Sequence, residues 1–411
     1  MHNRREFLHA AAAGASALLW SRDLDAFASR VSNAGAQEIW PLVREQFLIP
    51  RDRIYLNVGT LGAQPRAVVD AVIEHTRRVA MSLPPAVDWN GLKARTAALL
   101  NCDPAGLVYP RNTTEAMNFV ANGLDLGPSD EIITTTHEHI GGLCAWQLVS
   151  KRHGATLRQI PIGDPARADR MHPDAAYDAI RRAITPRTRV VSVSHVNFTN
   201  GLIMPVRRIV ELCRERNIIS VIDGAHPPGL MRVDLRAIDP DFYAASPHKW
   251  LLAPQGTGLL YIGENWRDRL WPTLASGGWD DLSLGAHRFN HLGTLDESRL
   301  AGLDAALRFH EAIGHDRTYA RIAQLRKLLY DQLSRTPGVR MMSPLENGAG
   351  MVSFVVDGVP ALEVQKRLAE HNVRTRVIGE YDYGWMRLSP HVYTGEAEAR
   401  SVASLLSYGR F

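Results

Sequence analysis

The sequence is poor in features that identify several common classes of protein. Its 411 residues include only three cysteines, Cys102, Cys144 and Cys213, with no Cys-x-x-Cys spacing, so no disulfide framework is expected. There is no run of five basic residues and no zinc-finger spacing, so the net charge of +4 does not indicate a nucleic-acid partner. The composition, 45% hydrophobic and 22% charged, is typical of a globular protein, and the length allows two domains.

The apolar run near the N-terminus is too short and too rich in alanine to predict a membrane span. Arg4 and Arg5 precede this run, a pattern that resembles a twin-arginine export signal. The small residues around Ala26–Ala28 offer a cleavage site. We therefore expect a signal peptide over residues 1–28, transport to the periplasm and no stable membrane insertion afterwards. A frayed amphipathic helix is the alternative interpretation.

Strand-like segments alternate with helical ones through the first three quarters of the chain, which favours an α/β fold with a mostly parallel sheet between helices. In such sheets ligands bind beyond the carboxyl ends of the strands. The segments with strand patterns are residues 106–110, 131–136, 156–162, 189–196, 218–225, 242–246 and 256–263.

The pattern changes near residue 300, where a long helix with one glycine break leads into shorter strands and a further helix. This change predicts a smaller C-terminal α+β domain. We expect an N-terminal segment over residues 29–60, a large domain over 61–300 and a small domain over 301–411.

Two candidate catalytic residues fall where predicted strands end. Asp223 closes the apolar run "ISVID", and a buried carboxylate there needs a cationic partner. Lys249 follows the next strand and precedes Trp250 and two leucines, and a partly buried lysine is easier to deprotonate. An aspartate and a lysine at strand tips are what pyridoxal phosphate (PLP) requires. A lysine at the rim of a core strand is the plain alternative.

The stretch "RNTTEAMN" predicts a site for the phosphate of such a cofactor. Thr113 and Thr114 stand at the expected start of a helix, after Asn112 and before Glu115. Hydroxyls and free backbone N–H groups at a helix N-terminus bind anions. A capping box that serves only the helix is the alternative.

The ordered set "RNTTEAMN", "THEH", "SHVN", "VIDGAH", "SPHK" and "GTG" resembles the class V aminotransferases, which are fold-type I PLP enzymes. The segments "YLNVGTLG", "SHVNFTNGLIMPV" and "VIDGAHPPG" are most similar to the isopenicillin N epimerase-like members, and the cysteine desulfurases are more distant. The resemblance covers about residues 50 to 400.

The resemblance implies a role for each matching residue. Lys249 would form the Schiff base and shuttle protons, Asp223 would bind the pyridine nitrogen, and His226 would bind the phenolic oxygen. His139 would stack on the ring, and it is also the nearest candidate for a second acid. The residues implied for the phosphate are Thr113, Thr114, Ser246 and His248.

Two further implied contacts concern the dimer and the substrate. Thr294 resembles a threonine that a neighbouring subunit contributes to the phosphate, which implies a homodimer with a shared active site. Arg387, in "WMRLSP", matches the arginine that binds the substrate carboxylate. Arg374 and Arg376 are alternatives for this carboxylate contact.

The sequence departs from the desulfurase pattern in two places. The stretch "RTRVIGEYDYGWMR" lacks the cysteine that desulfurases carry before the carboxylate-binding arginine, so persulfide chemistry is not expected. Phe198 stands where desulfurases have an asparagine near the phenolic oxygen, and Asn197 is its neighbour. Tyr383 and Trp385 are pocket or core aromatics.

The implied function is chemistry at the amino group and Cα of an amino acid or a similar small molecule, through a Lys249 aldimine and a Cα carbanion. Transamination and epimerisation are the main outcomes, and a C–S or other β-lyase is the alternative. A non-catalytic PLP-binding protein and a metal-dependent hydrolase are less favoured. His137 and His139 share a strand face but lack a third ligand, so no metal is expected.

Overall fold

The computed structural model describes residues 19–35, 37–83 and 87–408. Arg4 and Arg5 of the predicted export signal lie outside these residues. No helix among the described residues is both long enough and apolar enough to cross a membrane.

The described residues form a seven-stranded sheet, a four-stranded sheet and one isolated strand pair. The large sheet has the order β2-β8-β7-β6-β5-β3-β4, and the small sheet has the order β12-β13-β10-β9. The strands are β1 (Ile54–Tyr55), β2 (Leu107–Val108), β3 (Glu131–Thr135), β4 (Thr156–Ile160), β5 (Thr188–Ser194), β6 (Ile219–Asp223), β7 (Phe242–Ala245), β8 (Leu259–Ile262), β9 (Val339–Met341), β10 (Val352–Val356), β11 (Val373–Arg374), β12 (Arg376–Ile378) and β13 (Trp385–Leu388).

The helices cover both faces of the large sheet and one side of the small one. Their bounds are α1 (Leu19–Asn33), α2 (Ile39–Arg44), α3 (Arg66–Ala80), α4 (Trp89–Leu100), α5 (Thr113–Gly123), α6 (Ile140–His153), α7 (Pro173–Ala183), α8 (Val206–Glu215), α9 (Leu235–Ile238), α10 (Ser298–Ile313), α11 (His315–Leu333), α12 (Ala361–Glu370) and α13 (Glu396–Tyr408).

All seven predicted strand segments form strands of the large sheet, which confirms the α/β prediction. β8 runs antiparallel to both of its neighbours, and the other strands run in one direction. Consecutive residues pack into opposite cores: Val221 belongs to one hydrophobic cluster and Ile222 to the other. A sheet covered on both faces needs continuous apolar strands, which is the pattern that the sequence shows.

The small sheet is entirely antiparallel, as expected for the predicted α+β unit. β1 belongs to the N-terminal segment and pairs with β11 of the C-terminal region. The chain before the large domain therefore contacts the chain that follows it. The predicted glycine break is Gly314, which separates α10 from α11. The domain boundary at residue 300 stays a prediction, and α10 packs against α3 of the large domain.

The predicted cleavage point after Ala28 lies inside α1. Leu24 and Phe27 of this helix are buried, and the Phe27 ring stacks on Phe309 with centroids 5.3 Å apart. Cleavage at this point would therefore remove side chains that pack into the core of the described structure.

Candidate active site

The predicted site residues gather at the carboxyl edge of the large sheet. Ser194, at the end of β5, pairs in register with Asp223, at the end of β6. Asp223 in turn pairs with Ala244 of β7, just before the segment that carries Lys249. This arrangement follows from the parallel strands, whose carboxyl ends meet at one edge.

Lys249 lies in a compact turn between β7 and β8. Its backbone N–H donates to the carbonyl of Ser246 at 3.1 Å, and the Gly62 N–H donates to the carbonyl of His248 at 2.8 Å. Burial lowers the pKa of Lys249 from 10.5 to about 8, and the charge of Asp223 opposes this shift while Arg387 adds to it. A lysine with this pKa is partly neutral near physiological pH, so it can act as a nucleophile or a base.

Asp223 is buried. Its Oδ1 accepts a backbone hydrogen bond, and its Oδ2 lies beside a glycine. The Ala225 N–H donates to Oδ1 at 2.9 Å. A Cβ at Gly142 would lie 2.7 Å from Oδ2, so the glycine keeps space beside this oxygen. Burial raises the pKa of Asp223, and the charge of Lys249 lowers it.

His226 lies beside Lys249 and is buried. Its Nε2 is 3.5 Å from Lys249 Nζ, and its Nδ1 accepts a hydrogen bond from the indole N–H of Trp250 at 3.0 Å. Burial and the charge of Lys249 hold the pKa of His226 well below 6.5. The imidazole is therefore neutral at physiological pH.

The predicted phosphate site forms where α5 begins. Asn112 caps the helix by accepting from the Glu115 N–H at 2.9 Å. Thr113 Oγ1 lies 2.7 Å from Ser246 Oγ, which also accepts from the Thr113 N–H at 3.2 Å. The structure thus brings Thr113 and Ser246 together at a helix N-terminus, where an anion is favoured.

Thr114 and His248 flank this pair. A Cβ at Gly141 would lie 2.5 Å from Thr114 Oγ1, so only a glycine leaves this hydroxyl free. His248 Nδ1 donates to the carbonyl of Thr257 at 3.2 Å, and burial lowers its pKa to about 4. His248 is therefore an uncharged polar group at this site.

His139 caps α6 and contacts Phe198. Its Nδ1 accepts from the Gly141 N–H at 3.0 Å, and its ring meets the Phe198 ring edge-on with centroids 5.0 Å apart. Burial lowers the pKa of His139 to about 3. A neutral imidazole fits stacking on a ring better than it fits donating protons as a second acid.

Arg387 is fully buried on β13, and none of its described hydrogen-bond partners is charged. Its guanidinium donates to the Phe198 carbonyl at 2.8 Å and to Thr60 Oγ1 at 3.2 Å, and its Nε lacks a partner among the described residues. A Cβ at Gly59 would lie 3.0 Å from Nη2. Burial lowers its pKa from 12.5 to about 9. A buried cation whose hydrogen-bond partners are all neutral groups is a place for an anion.

Arg376 faces Arg387 directly across the β12–β13 pair, which brings two like charges together. Arg376 forms an ion pair with Glu380, whereas no carboxylate of the described residues reaches salt-bridge distance of Arg387. Arg374 is exposed. Of the three arginines considered for the substrate carboxylate, Arg387 has the environment that the role requires.

Three further expectations concern Thr294, His137 and a metal site. Thr294 is exposed on the loop before α10, and the described residues show no contact between it and the phosphate site, so its role across a dimer stays a prediction. His137 is buried and bonds Thr199 Oγ1 at 2.7 Å, which is a structural role. No cluster of metal-ligating side chains occurs in the described part of the chain.

Sequence reasoning missed Glu138, which stands between the two histidines of "THEH". Its carboxyl oxygens accept from Thr135 Oγ1 at 2.6 Å and from Ser194 Oγ at 2.5 Å, which joins the ends of β3 and β5. Burial raises its pKa to about 7. The only signal in the sequence was a charged residue three positions after the end of β3.

The loop before Arg387 is fastened to the large domain by aromatic residues. Tyr381 donates to the Glu138 carbonyl at 2.7 Å, and Tyr383 donates to the Thr136 carbonyl at 3.0 Å. Tyr383 also stacks on Trp385 with centroids 4.3 Å apart. These aromatics therefore hold the small domain against the segment that carries His139.

The residues present fit PLP. Asp223 has an open oxygen beside Gly142, which suits a protonated ring nitrogen. Asn197 is buried, and both its side-chain polar atoms lack a partner among the described residues, so polar groups remain unpaired in this region. Lys249, the Thr113–Ser246 pair and His139 supply an amine, an anion site and a ring contact on the same sheet edge.

Comparison with known proteins agrees with this geometry. The family model for class-V aminotransferases matches residues 86–398. The isopenicillin N epimerase of Amycolatopsis lactamdurans is 30% identical over 89% of this chain and 98% of its own length. A probable cysteine desulfurase of Halobacterium salinarum is 31% identical over 82% of this chain and 84% of its own length.

Two solved structures of C-DES are also similar. One is a variant with glycine covalently linked to its PLP cofactor, with a TM-score of 0.80, 27% identity and coverage of 89% of this chain and 99% of that chain. The other is described as the cystine C–S lyase C-DES in complex with its reaction product cysteine persulfide. It has a TM-score of 0.78, 26% identity and coverage of 87% of this chain and 98% of that chain. The chain therefore belongs to the class-V aminotransferase family and is a PLP-dependent enzyme.

Proposed function

We propose that this enzyme removes the Cα proton of an amino-acid substrate. Delivery of a proton to the cofactor would then give transamination, and delivery to the opposite face of Cα would give epimerisation. The observation that carries the proposal is the pairing of Lys249, whose pKa is about 8, with a buried Arg387 that lacks a carboxylate partner among the described residues. Bound PLP supplies an electron-accepting ring that makes the Cα–H bond of an amino acid acidic.

The chain's own residues then divide the work. Arg387 binds the substrate carboxylate with two parallel hydrogen bonds and so orients the Cα–H bond. Lys249 Nζ would take the Cα proton and, from the same face, could pass it on for transamination. Epimerisation requires a second acid on the opposite face of Cα. Asp223 would keep a proton on the ring nitrogen of bound PLP, and His226 would donate to its phenolic oxygen. Neutral His139 would contact the ring.

The proposal is tested by incubating the purified enzyme with a panel of amino acids in deuterated water. Deuterium at Cα with loss of chirality indicates epimerisation, and a keto acid together with the amine form of the cofactor indicates transamination. If no member of a broad panel exchanges its Cα proton, the proposed function is wrong.

A β-lyase is a second candidate because C-DES, described as a cystine C–S lyase, has the same fold and is 26% identical. The same Cα deprotonation precedes loss of a β-substituent. Pyruvate and a released thiol or persulfide from cystine would favour the lyase, whereas retention of the β-substituent favours the first proposal.

We expect the rate at which PLP joins the cofactor-free protein to rise with pH, with its midpoint near pH 8, and to level off above it. Only the neutral amine attacks the aldehyde, and its fraction increases as the pH passes the Lys249 pKa of about 8. The measurement is the growth of visible absorbance in stopped flow, with N-acetyl-lysine as the control amine. A rate that still rises above pH 10 would show an ordinary exposed lysine.

We expect Arg387→Gln to lower kcat/KM for an amino acid by about 10²-fold, because a charge-assisted hydrogen bond contributes roughly 1.5–3 kcal/mol. For the amide of that amino acid, which has no carboxylate, kcat/KM of the variant should equal that of the wild-type protein. Its melting temperature should not fall, since the removed cation has only neutral described hydrogen-bond partners. Arg374→Gln is the matched control, and an equal loss in that variant would contradict this assignment.

We also propose that two chains share the site as a homodimer, with the partner's copy of Thr294 at the phosphate. Exposed apolar side chains between residues 271 and 295 support this proposal, and they include Trp271, Leu274, Trp279, Leu282 and Leu295. Light scattering of Leu282→Asp should show monomers that retain PLP less tightly. A monomeric wild-type protein with full activity would refute the proposal.

Export by the twin-arginine route stays a proposal supported by Arg4 and Arg5 in the sequence. Replacing both with lysine should leave the protein in the cytoplasm in a fractionation experiment. The N-terminal sequence of the exported protein would show whether α1, which is packed into the fold, is retained.

A further inference from the structure

Trp250 follows the active-site lysine in sequence, and its contact with His226 determines which imidazole nitrogen can donate a hydrogen bond. The indole Nε1–H donates to His226 Nδ1 at 3.0 Å. On the other side of the imidazole, Nε2 lies 3.5 Å from Lys249 Nζ. His226 therefore lies between the Trp250 indole and the amine of Lys249. No role at the substrate or the cofactor has been predicted for this indole.

An indole N–H is only a donor, so the atom that receives it must have a free lone pair. His226 Nδ1 therefore carries no proton. Because the imidazole is neutral, its single proton is on Nε2, the nitrogen that faces Lys249. An ammonium group has no lone pair, so only the neutral amine of Lys249 can accept this proton.

Trp250 is held in place by its surroundings. It is fully buried, and His391 Nε2 donates to its carbonyl at 2.9 Å. A Cβ at Gly350 would lie 2.5 Å from the indole, and a Cβ at Gly229 would lie 2.4 Å from the Trp250 backbone. Both glycines have positive φ angles. The close packing leaves the indole one position, with its N–H directed at His226.

We propose that Trp250 is a positioning residue that fixes His226 as an Nε2–H donor towards Lys249 Nζ and, in the loaded enzyme, towards the cofactor. Through His226 the indole disfavours the ammonium form of Lys249, because that form and the Nε2 proton would be two donors facing each other. The proposal goes beyond the proposed reaction, since any PLP chemistry at Lys249 would use the same contact.

The test begins with ¹⁵N–¹H correlation NMR of histidine-labelled, full-length protein, both with PLP bound and after its removal. His226 is assigned by the loss of its signals in His226→Gln. In the wild-type protein we expect Nδ1 to be unprotonated and Nε2 to be protonated. A proton on Nδ1 would overturn the proposal without the need for any tryptophan variant.

The Trp250→Phe variant removes the indole donor and retains an aromatic ring. We expect a population of His226 with its proton on Nδ1, because Nε2 can then accept from the Lys249 ammonium. The pH midpoint for PLP incorporation should rise by about one unit. A shift of this size corresponds to the free energy of one hydrogen bond to a charged group. Unchanged His226 signals and an unchanged midpoint would overturn the proposal.

Two controls separate this role from general packing. Trp146 is also fully buried, and its indole donates to Ser192 Oγ at 2.9 Å, so Trp146→Phe loses an equivalent bond away from Lys249. We expect this variant to leave the His226 tautomer and the pH midpoint unchanged. In a His226→Gln background, Trp250→Phe should have no further effect on the midpoint. A shift of equal size in either control would assign the effect to packing.

Discussion

Lys249→Ala is expected to lose the visible absorbance of the covalently bound cofactor and to lower kcat by about 10³-fold or more. The variant removes both the amine that holds PLP and the base that moves the Cα proton, and general base catalysis alone contributes about 10²–10⁴-fold. Absorbance spectra and the deuterium-exchange assay measure the two losses separately. PLP could still enter the site through the phosphate contacts of Thr113 and Ser246.

Lys366→Ala is the matched control, because Lys366 is exposed on α12. This variant should keep the absorbance band, the exchange rate and the unfolding temperature of the wild-type protein. A Lys249→Ala protein that retained the band would show that another amine carries the cofactor, and the assignment of Lys249 would then be wrong.

Asp223→Asn is expected to lower kcat by about 10²–10³-fold while the protein still binds PLP. A neutral amide cannot hold the proton on the ring nitrogen, so the electrostatic stabilisation of the developing negative charge is lost. The asparagine side chain keeps an oxygen that can accept from the Ala225 N–H, so the local structure should be retained.

Asp223→Asn is expected to lower activity but not the stability of the cofactor-free protein. Burial raises the pKa of Asp223, so the ionised carboxylate destabilises the cofactor-free fold at pH values above that pKa. The asparagine variant should therefore unfold at an equal or higher temperature at pH 7. As the pH falls and the wild-type carboxyl becomes protonated, the difference between the two proteins should shrink.

Asp304→Asn is the contrasting control. Asp304 is a buried carboxylate that accepts from Arg95 at 2.7 Å and from Arg308 at 2.9 Å, remote in sequence from the catalytic segments. Its loss should lower stability without changing kcat per folded molecule. An activity loss in Asp304→Asn as large as that in Asp223→Asn would mean that the latter reports folding rather than catalysis.

The large sheet and the grouping of Asp223 with Lys249 were predictable because their signals are local. A parallel strand covered on both faces is a continuous apolar run, and a polar residue directly after such a run marks the edge of the sheet. The bounds of β6, Ile219–Asp223, fall within the predicted segment of residues 218–225. The bounds of β7, Phe242–Ala245, likewise fall within residues 242–246.

The environment of Arg387 was not predictable, because its partners come from distant parts of the chain. The Phe198 carbonyl and Thr60 belong to segments that are far from β13 in sequence and contact it only in the folded structure. The resemblance favoured Arg387, and the sequence left Arg374 and Arg376 as alternatives. Burial, the ion pair of Arg376 with Glu380 and the exposure of Arg374 distinguish them.

The bond between Trp250 and His226 was also invisible in the sequence. "HKWLL" suggested only that Lys249 has apolar neighbours, and nothing in the pattern showed that the indole would turn towards residue 226. Glu138 was missed for the same reason, since its partners Thr135 and Ser194 lie on different strands. Hydrogen bonds between side chains depend on rotamers that tertiary packing selects.

The most direct test of the central assignment is reduction of the PLP-loaded protein with borohydride, followed by proteolysis and mass spectrometry. The account predicts that one peptide, the one containing Lys249, carries the reduced cofactor in a stable secondary amine. An unmodified Lys249, or the cofactor mass on another lysine such as Lys93, would contradict it.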